Sequence, residues 1–219
     1  DVYKRQDLMI QFLHEYSGEL LNKTIEHFYI SLMALFIAII IAVPLGIVLA
    51  KTRKVANVVL TAAGVLQTIP TLAILALMIP IFGVGKTPAI IALFLYVLLP
   101  ILSNTVLGVQ NIDENIKQAG LSMGMTRFQL MKSVELPLAL PLIMGGIRLS
   151  SVYVISWATL ASYVGAGGLG DFIFNGLNLY NANMIIVAAI LVTALALIAD
   201  MLLALVERWT IPKGLKVEK

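Results

Sequence analysis

Charge is scarce in this sequence. Asp, Glu, Lys and Arg make up 12% of its 219 residues, 60% are hydrophobic, and the mean hydropathy is +0.96; soluble proteins carry about one quarter charged residues. The apolar residues gather into runs of about twenty, the length that crosses hydrocarbon, so the chain reads as a membrane protein and its length counts spans, not soluble domains. Cysteine is absent, which removes disulfides, cysteine metal sites and thiol nucleophiles together. The two histidines, His14 and His27, both precede the first apolar run. They build neither a metal site nor a Ser-His-Asp triad. Asp200 is the single acid deep in an apolar run, so paired carboxylates are missing as well, and no residue set for covalent chemistry stands out. The net charge of +3 and pI near 9.1 do not point to nucleic acid, because Lys and Arg are spread between the spans instead of forming a basic face.

Five spans are predicted: Phe28 to Ala50, Val55 to Phe82, Pro88 to Val109, Leu138 to Tyr163 and Met184 to Val206. At 1.5 Å per residue each reaches across about 30 Å of hydrocarbon. Lys51, Arg53 and Lys54 follow the first; Lys117, Arg127 and Lys132 lie between the third and fourth; Arg208, Lys213, Lys216 and Lys219 follow the fifth. These cations mark a cytoplasmic side. The alternate loops hold only Lys86, and 165–183 holds no Lys or Arg, so the N-terminus is expected outside and the C-terminus inside. Lys4, Arg5 and Lys23 run against this, accompanied by five acids, Asp1, Asp7, Glu15, Glu19 and Glu26.

The segments are therefore an N-terminal interfacial stretch, 1–27, a membrane domain, 28–206, and a cytoplasmic tail, 207–219. Residues 1–6 differ in pattern from the amphipathic stretch after them and are expected to be an artefact or a truncated start. In 7–27, Leu8, Ile10, Phe12, Leu13, Leu20, Leu21 and Ile25 alternate with polar residues, the pattern of a helix lying at the outer interface. Inside the second span stands a polar break, Gln67-Thr68-Ile69-Pro70-Thr71. Its amide and hydroxyls need partners other than lipid, either in a packed kink or in a kink that lines a pathway.

Two motifs are decoys. Gly165-Ala166-Gly167-Gly168-Leu169-Gly170 satisfies G-x-G-x-x-G, but without the strand and helix that give that motif its meaning; a tight re-entrant turn is expected. Gly85-Lys86-Thr87 resembles the end of a phosphate loop, with Pro80 where its earlier glycine belongs.

Arg148 and Asp200 are the ionisable residues inside apolar spans, at about 2.5–3.5 kcal/mol each if left alone near the bilayer centre. At roughly 15 and 9 Å from the cytoplasmic ends of their spans, they are expected either to pair or to snorkel separately. Small residues, Gly145 and Gly146 in span four and a run of alanines in span five, suit close helix packing.

The segment 111–136 is too amphipathic for a plain linker. Ile116, Ala119, Gly120 and Met123 fall at helical spacing, Gly124 breaks the helix, and Phe128, Met131, Val134 and Leu136 resume an apolar stripe ending at Pro137. This predicts a helix, a glycine turn and a second helix: a lever for another protein, or an interfacial amphipath with no partner.

Gln118-Ala119-Gly120-Leu121-Ser122-Met123-Gly124, followed by Phe128, Leu136, Pro137 and Pro141, resembles the E-A-A-x-x-x-G and L-P signature of ABC-importer permeases, with Gln118 for the usual Glu and Gly120 for the second Ala. The resemblance runs from about residue 20 to 212. It implies an all-α, five-span fold of the type I, methionine-permease-like kind, in which 111–136 is a coupling helix docking on a cytoplasmic ATPase. The implied partners are two ATPase subunits that use ATP and Mg, a second permease chain, identical or closely related, an external substrate-binding protein, and the lipid of a bacterial plasma membrane. No cofactor, metal or nucleic acid is implied for this chain. The Ala161 to Gly170 text and the Gln67 to Pro70 break are similar to the osmoprotectant branch, whose cargo is glycine betaine, carnitine, choline or proline betaine; an amino acid such as methionine is the alternative. Quaternary ammonium cargo would favour aromatic faces, at roughly 0.5–2 kcal/mol per ring. Tyr96, Tyr153, Trp157 and Tyr163 are the candidates, with packing or interfacial belting as their other reading. Gln67, Thr68 and Pro70 join them as pathway or gate candidates, with Gly165, Gly167 and Gly168.

Overall fold

The computed structural model describes the backbone of residues 2–211 and the side chains of 11–211. Asp1 and the tail cations Lys213, Lys216 and Lys219 lie outside the described residues. Among those described the secondary structure is entirely helical: α1 (Val2–Ala50), α2 (Arg53–Gln67), α3 (Thr71–Phe82), α4 (Lys86–Gln110), α5 (Glu114–Ser122), α6 (Arg127–Leu130), a π turn (Met131–Glu135), α7 (Leu136–Trp157), a 3₁₀ segment (Ala158–Val164), α8 (Gly170–Asn178) and α9 (Ala182–Thr210). Gln11–Ala50, Lys86–Gln110, Arg127–Val164 and Ala182–Thr210 are each long and apolar enough to cross a membrane, and the bent pair α2 and α3 makes a fifth if taken as one span. Leu32, Phe36 and Ile40 on α1, with Leu197, Met201 and Leu205 on α9, are exposed, as suits helices solvated by hydrocarbon.

Two expectations need correction. The N-terminal stretch is not a separate interfacial helix. It continues into the first span as one helix of 49 residues, about 70 Å long, more than twice a hydrocarbon core. No helix breaker stands at the junction, and Thr24 and Ser31 return their hydroxyls to the carbonyls of Leu20 and His27 at 2.7 and 2.9 Å. The apolar stripe does not stop at Pro137. The backbone passes it by widening into the π turn, where the Leu136 N–H reaches the Met131 carbonyl. After the glycine turn at 165–168 the same loop adds a helix, α8, that periodicity does not mark.

The chain divides into two compact units, Asp1–Ala34 with Pro70–Phe94 and Val152–Ile198, and Leu35–Ile69 with Leu95–Ser151 and Ala199–Lys219. In the first, Phe12, Leu20, Phe172, Val187 and Ala188 form a buried cluster. Phe12 stacks on Tyr16 at 4.7 Å, and Phe172 meets both edge-on. In the second, α1, α4 and α7 approach closely at glycines. A Cβ on Gly46 would come within 2.7 Å of the Thr105 side chain, and one on Gly146 within 2.7 Å of Asn104 Cβ and 3.1 Å of the Pro100 carbonyl. Of the paired glycines in α7, Gly146 is the one in contact; nothing lies within 4 Å of a Cβ on Gly145.

Candidate functional site

In the second unit, 111–136 folds into a helical hairpin through signals local to its sequence. Asp113 caps α5 by accepting the Asn115 N–H at 2.9 Å. At the other end the Gly124 N–H bonds the Leu121 carbonyl (2.9 Å) and the Met125 N–H the Gly120 carbonyl (3.1 Å), with Gly124 at φ +87°. This is a Schellman closure, which needs glycine at the left-handed position. Thr126 and Gln129 then form a capping box that starts α6, a T-x-x-Q start signal that apolar periodicity does not reveal. Gly120 is buried, and a Cβ there would come within 2.6 Å of Leu130 Cδ1, so it packs the two arms. Gln118 and Ala119 face outward, while Leu136 and Pro137 are half-buried at the hairpin's exit. Met123 and Phe128 are 73% and 75% exposed, joined by the exposed Ile116 and Leu121. A short polar hairpin presenting four large apolar side chains has the composition of a surface made for another protein.

The broken span is braced in the same unit. The Gln67 amide donates to the Tyr96 carbonyl at 2.6 Å, and the Tyr96 hydroxyl donates to the Ile69 carbonyl. Thr68 returns its hydroxyl to Val65 at 2.7 Å, and Pro70 starts α3. The Ile69 carbonyl, freed at the break, is thus satisfied by a side chain of α4. Tyr96 is 4% exposed, and both its carbonyl and its hydroxyl take part in holding the break. Tyr153 and Trp157, in the first unit, stack at 5.2 Å, and Tyr163, exposed, meets Phe174 edge-on at 4.3 Å.

Arg148 and Asp200 meet in the second unit. Nε and Nη2 donate to the two carboxylate oxygens at 2.8 and 2.9 Å, while Nη1 donates to Glu207 at 2.8 Å. Glu207, two helical turns beyond Asp200 on the same face of α9, was missed because it lies past the predicted end of the span.

In the first unit the glycine loop is held by α1. Glu26 Oε2 accepts the Gly168 N–H at 3.0 Å and Lys23 Nζ at 3.2 Å, Oε1 takes Lys86 Nζ at 2.7 Å, and Lys23 also binds Asp171 at 2.6 Å. The Gly85 N–H donates to the Val164 carbonyl at 2.8 Å. Gly165, Gly167 and Gly168 have φ of 72°, 82° and 86°. A side chain on Gly167 would run into the Glu26 carboxylate, and one on Gly168 would start 3.0 Å from His27 Nδ1. Both conformation and space therefore require glycine here. His27 is fully buried, donates from Nε2 to the Ile155 carbonyl at 2.8 Å, and leaves Nδ1 without a partner; a carbonyl can only accept, so the ring is the Nε2–H tautomer. Glu26 and Asp171 did not stand out in the sequence, and Lys86 did so only as the lone cation of the alternate loops and as part of a decoy motif. Their only local signal is Lys23 and Glu26 at i, i+3 just before the first span.

The fold is that of type I ABC-importer permeases: it matches a solved structure of the inward-facing MetNI methionine ABC transporter with a TM-score of 0.80, over 88% of this chain and 96% of that one, at 22% identity. Residues 42–212 match the binding-protein-dependent transport system inner membrane component family, and the chain belongs to it. It is 54% identical to the carnitine transport permease protein OpuCB of Listeria monocytogenes over 96% of each chain. It is also 53% identical to the glycine betaine/carnitine/choline transport system permease protein OpuCB of Bacillus subtilis, over 95% of this chain and 96% of that one.

Proposed function

We propose that this chain is the membrane permease of an ATP-driven importer for quaternary ammonium osmoprotectants: glycine betaine, carnitine, choline or a close analogue. The observation that carries the reading is identity above one half, nearly end to end, with permeases named for carnitine and for glycine betaine, carnitine and choline. The amino-acid alternative is supported by likeness of fold alone.

On this reading the chain does no covalent chemistry. Two ATPase subunits, holding ATP and Mg, grip the exposed Met123, Phe128 and Gln118 side of the hairpin; a second permease chain completes the passage; a binding protein delivers solute outside. The N-terminus lies outside and the C-terminus in the cytoplasm of a bacterial plasma membrane. Closure of the ATPases pulls the hairpin, and the membrane helices pass between inward- and outward-open arrangements. Stacked Tyr153 and Trp157 and the exposed Tyr163 offer ring faces that attract a quaternary ammonium without the strength to trap it.

The test is uptake of labelled glycine betaine, carnitine, choline and methionine by cells lacking their own carriers and expressing the chain with its ATPase and binding protein. ATP-dependent uptake of a quaternary ammonium solute, with no methionine uptake, is expected. Methionine uptake alone would overturn the substrate class. Failure of any ATPase to copurify from a well-expressing membrane would overturn the permease role.

A further inference from the structure

Three separate stretches of the first unit converge on the carboxylate of Glu26. It belongs to α1, one of its cations, Lys86, opens α4, and the N–H it accepts comes from Gly168, in the loop between the 3₁₀ segment and α8. Lys23 ties the same loop a second time through Asp171. The loop has given up side chains to make this seat: Gly167 and Gly168 sit at positive φ with Glu26 and His27 where their Cβ atoms would be. Beside the Glu26 carboxylate, whose side chain is 23% exposed, lies an open cleft of about 520 Å³ bordered by Asn22, Lys23, Glu26, Tyr29 and Lys86. A bolt made of charge pairs at the rim of a cleft can be drawn without unpacking the core, unlike the buried Phe172 cluster beneath α8.

We propose that Glu26 is a positioning residue for transport: its carboxylate latches the 164–171 loop and the turn before α4 onto α1, and release of that latch accompanies opening of the outer side of the permease. The assignment of an outer side and of a transport cycle rests on the function proposed above; the latch itself does not. Ala166, 1% exposed inside the loop, reports whether it is shut, and Tyr180, 95% exposed beyond α8, serves as a control. Because the chain has no cysteine, Ala166→Cys and Tyr180→Cys are clean labelling sites.

The experiment measures the rate at which a membrane-impermeant maleimide modifies each cysteine in the assembled transporter, in right-side-out cells and in open membranes. Glu26→Gln should speed labelling at Ala166→Cys about tenfold, the loss of roughly one charge-assisted interaction, and leave Tyr180→Cys unchanged. The conservative change Glu26→Asp, which keeps the negative charge and an acceptor for the Gly168 N–H, should label more slowly than Glu26→Gln. Uptake in Glu26→Gln should lose maximal rate with little change in the half-saturating solute concentration, since no solute contact is removed. Equal rates at Ala166→Cys in parent and Glu26→Gln, or Glu26→Asp as fast as Glu26→Gln, would overturn the latch. Labelling of Tyr180→Cys only in open membranes would instead overturn the orientation, and absence of uptake in the parent would overturn the function, each leaving the latch result readable.

Discussion

Neutralising Asp200 and Glu207 together should destabilise the protein by far more than the two single changes added. Arg148 spends two N–H bonds on Asp200 and one on Glu207, and the three side chains are 32%, 32% and 22% exposed, so water satisfies little of the group. In Asp200→Asn the Asn oxygen still accepts one bond and Glu207 still balances the guanidinium. The loss is about 1.5 kcal/mol, one hydrogen bond to a charged group, offset in part because the cluster falls from one net negative charge to none. Glu207→Gln keeps the bidentate pair and costs about as much. With both changed, Arg148 stands uncompensated in an apolar helix, which adds about 2.5–3.5 kcal/mol. The expected coupling between the two sites is thus about 3 kcal/mol, near the top of the range for residues in one network. The assay is thermal unfolding in mild detergent, followed by loss of the monodisperse species, with the amount inserted in membranes as a second readout. Replacing all three by apolar residues, Arg148→Met with Asp200→Leu and Glu207→Leu, should recover most of the loss, because removing a whole ionic group is far cheaper than removing half of it. A double variant no worse than the sum of its parts would refute the reasoning, as would a triple variant as unstable as the double.

Two glycines of the hairpin should fail in different ways. Gly124→Val meets open space but forces a β-branched residue to φ +87°, costing about 1–2 kcal/mol locally, so membrane levels should hold while ATPase recovery on purification falls; Gly120→Leu, driven against Leu130, should loosen the arms and lower the hairpin's resistance to proteolysis first. At the broken span, Tyr96→Phe removes the donor to the half-buried Ile69 carbonyl and should cost about 1 kcal/mol of stability, the net worth of one hydrogen bond; an unchanged unfolding midpoint would mean that water or another group already serves it.

Sequence pattern carried what is periodic or local. Spans are written in runs of apolar residues, and the hairpin in the helical spacing of Ile116, Ala119, Gly120 and Met123 and in Gly124, whereas the cost of leaving Arg148 and Asp200 alone in hydrocarbon leaves pairing and separate snorkelling both open. The continuity of α1 was hidden because polar residues at 22–27 look like an end, when α-helix needs only the absence of a breaker. The length of α8 was hidden behind the glycines that precede it. Most opaque was the seat of Glu26, built from residues 23, 26, 86, 168 and 171. Nothing in the text at any one of these positions names the others, and the glycines that looked like a turn are as much a space reserved for two side chains of α1.

The π turn at Met131–Glu135 lies between the hairpin and the part of α7 that carries Gly146 and Arg148. A π turn is an α-helix that has taken in one extra residue without rotating the helix beyond it. Related chains one residue shorter at this point can therefore close it into plain helix and keep Gly146 facing Asn104 and Arg148 facing Asp200. The same deletion a turn later would rotate those faces by about 100° and separate both pairs. Length variation among relatives should accordingly be tolerated at 131–135 and forbidden from 138 to 148.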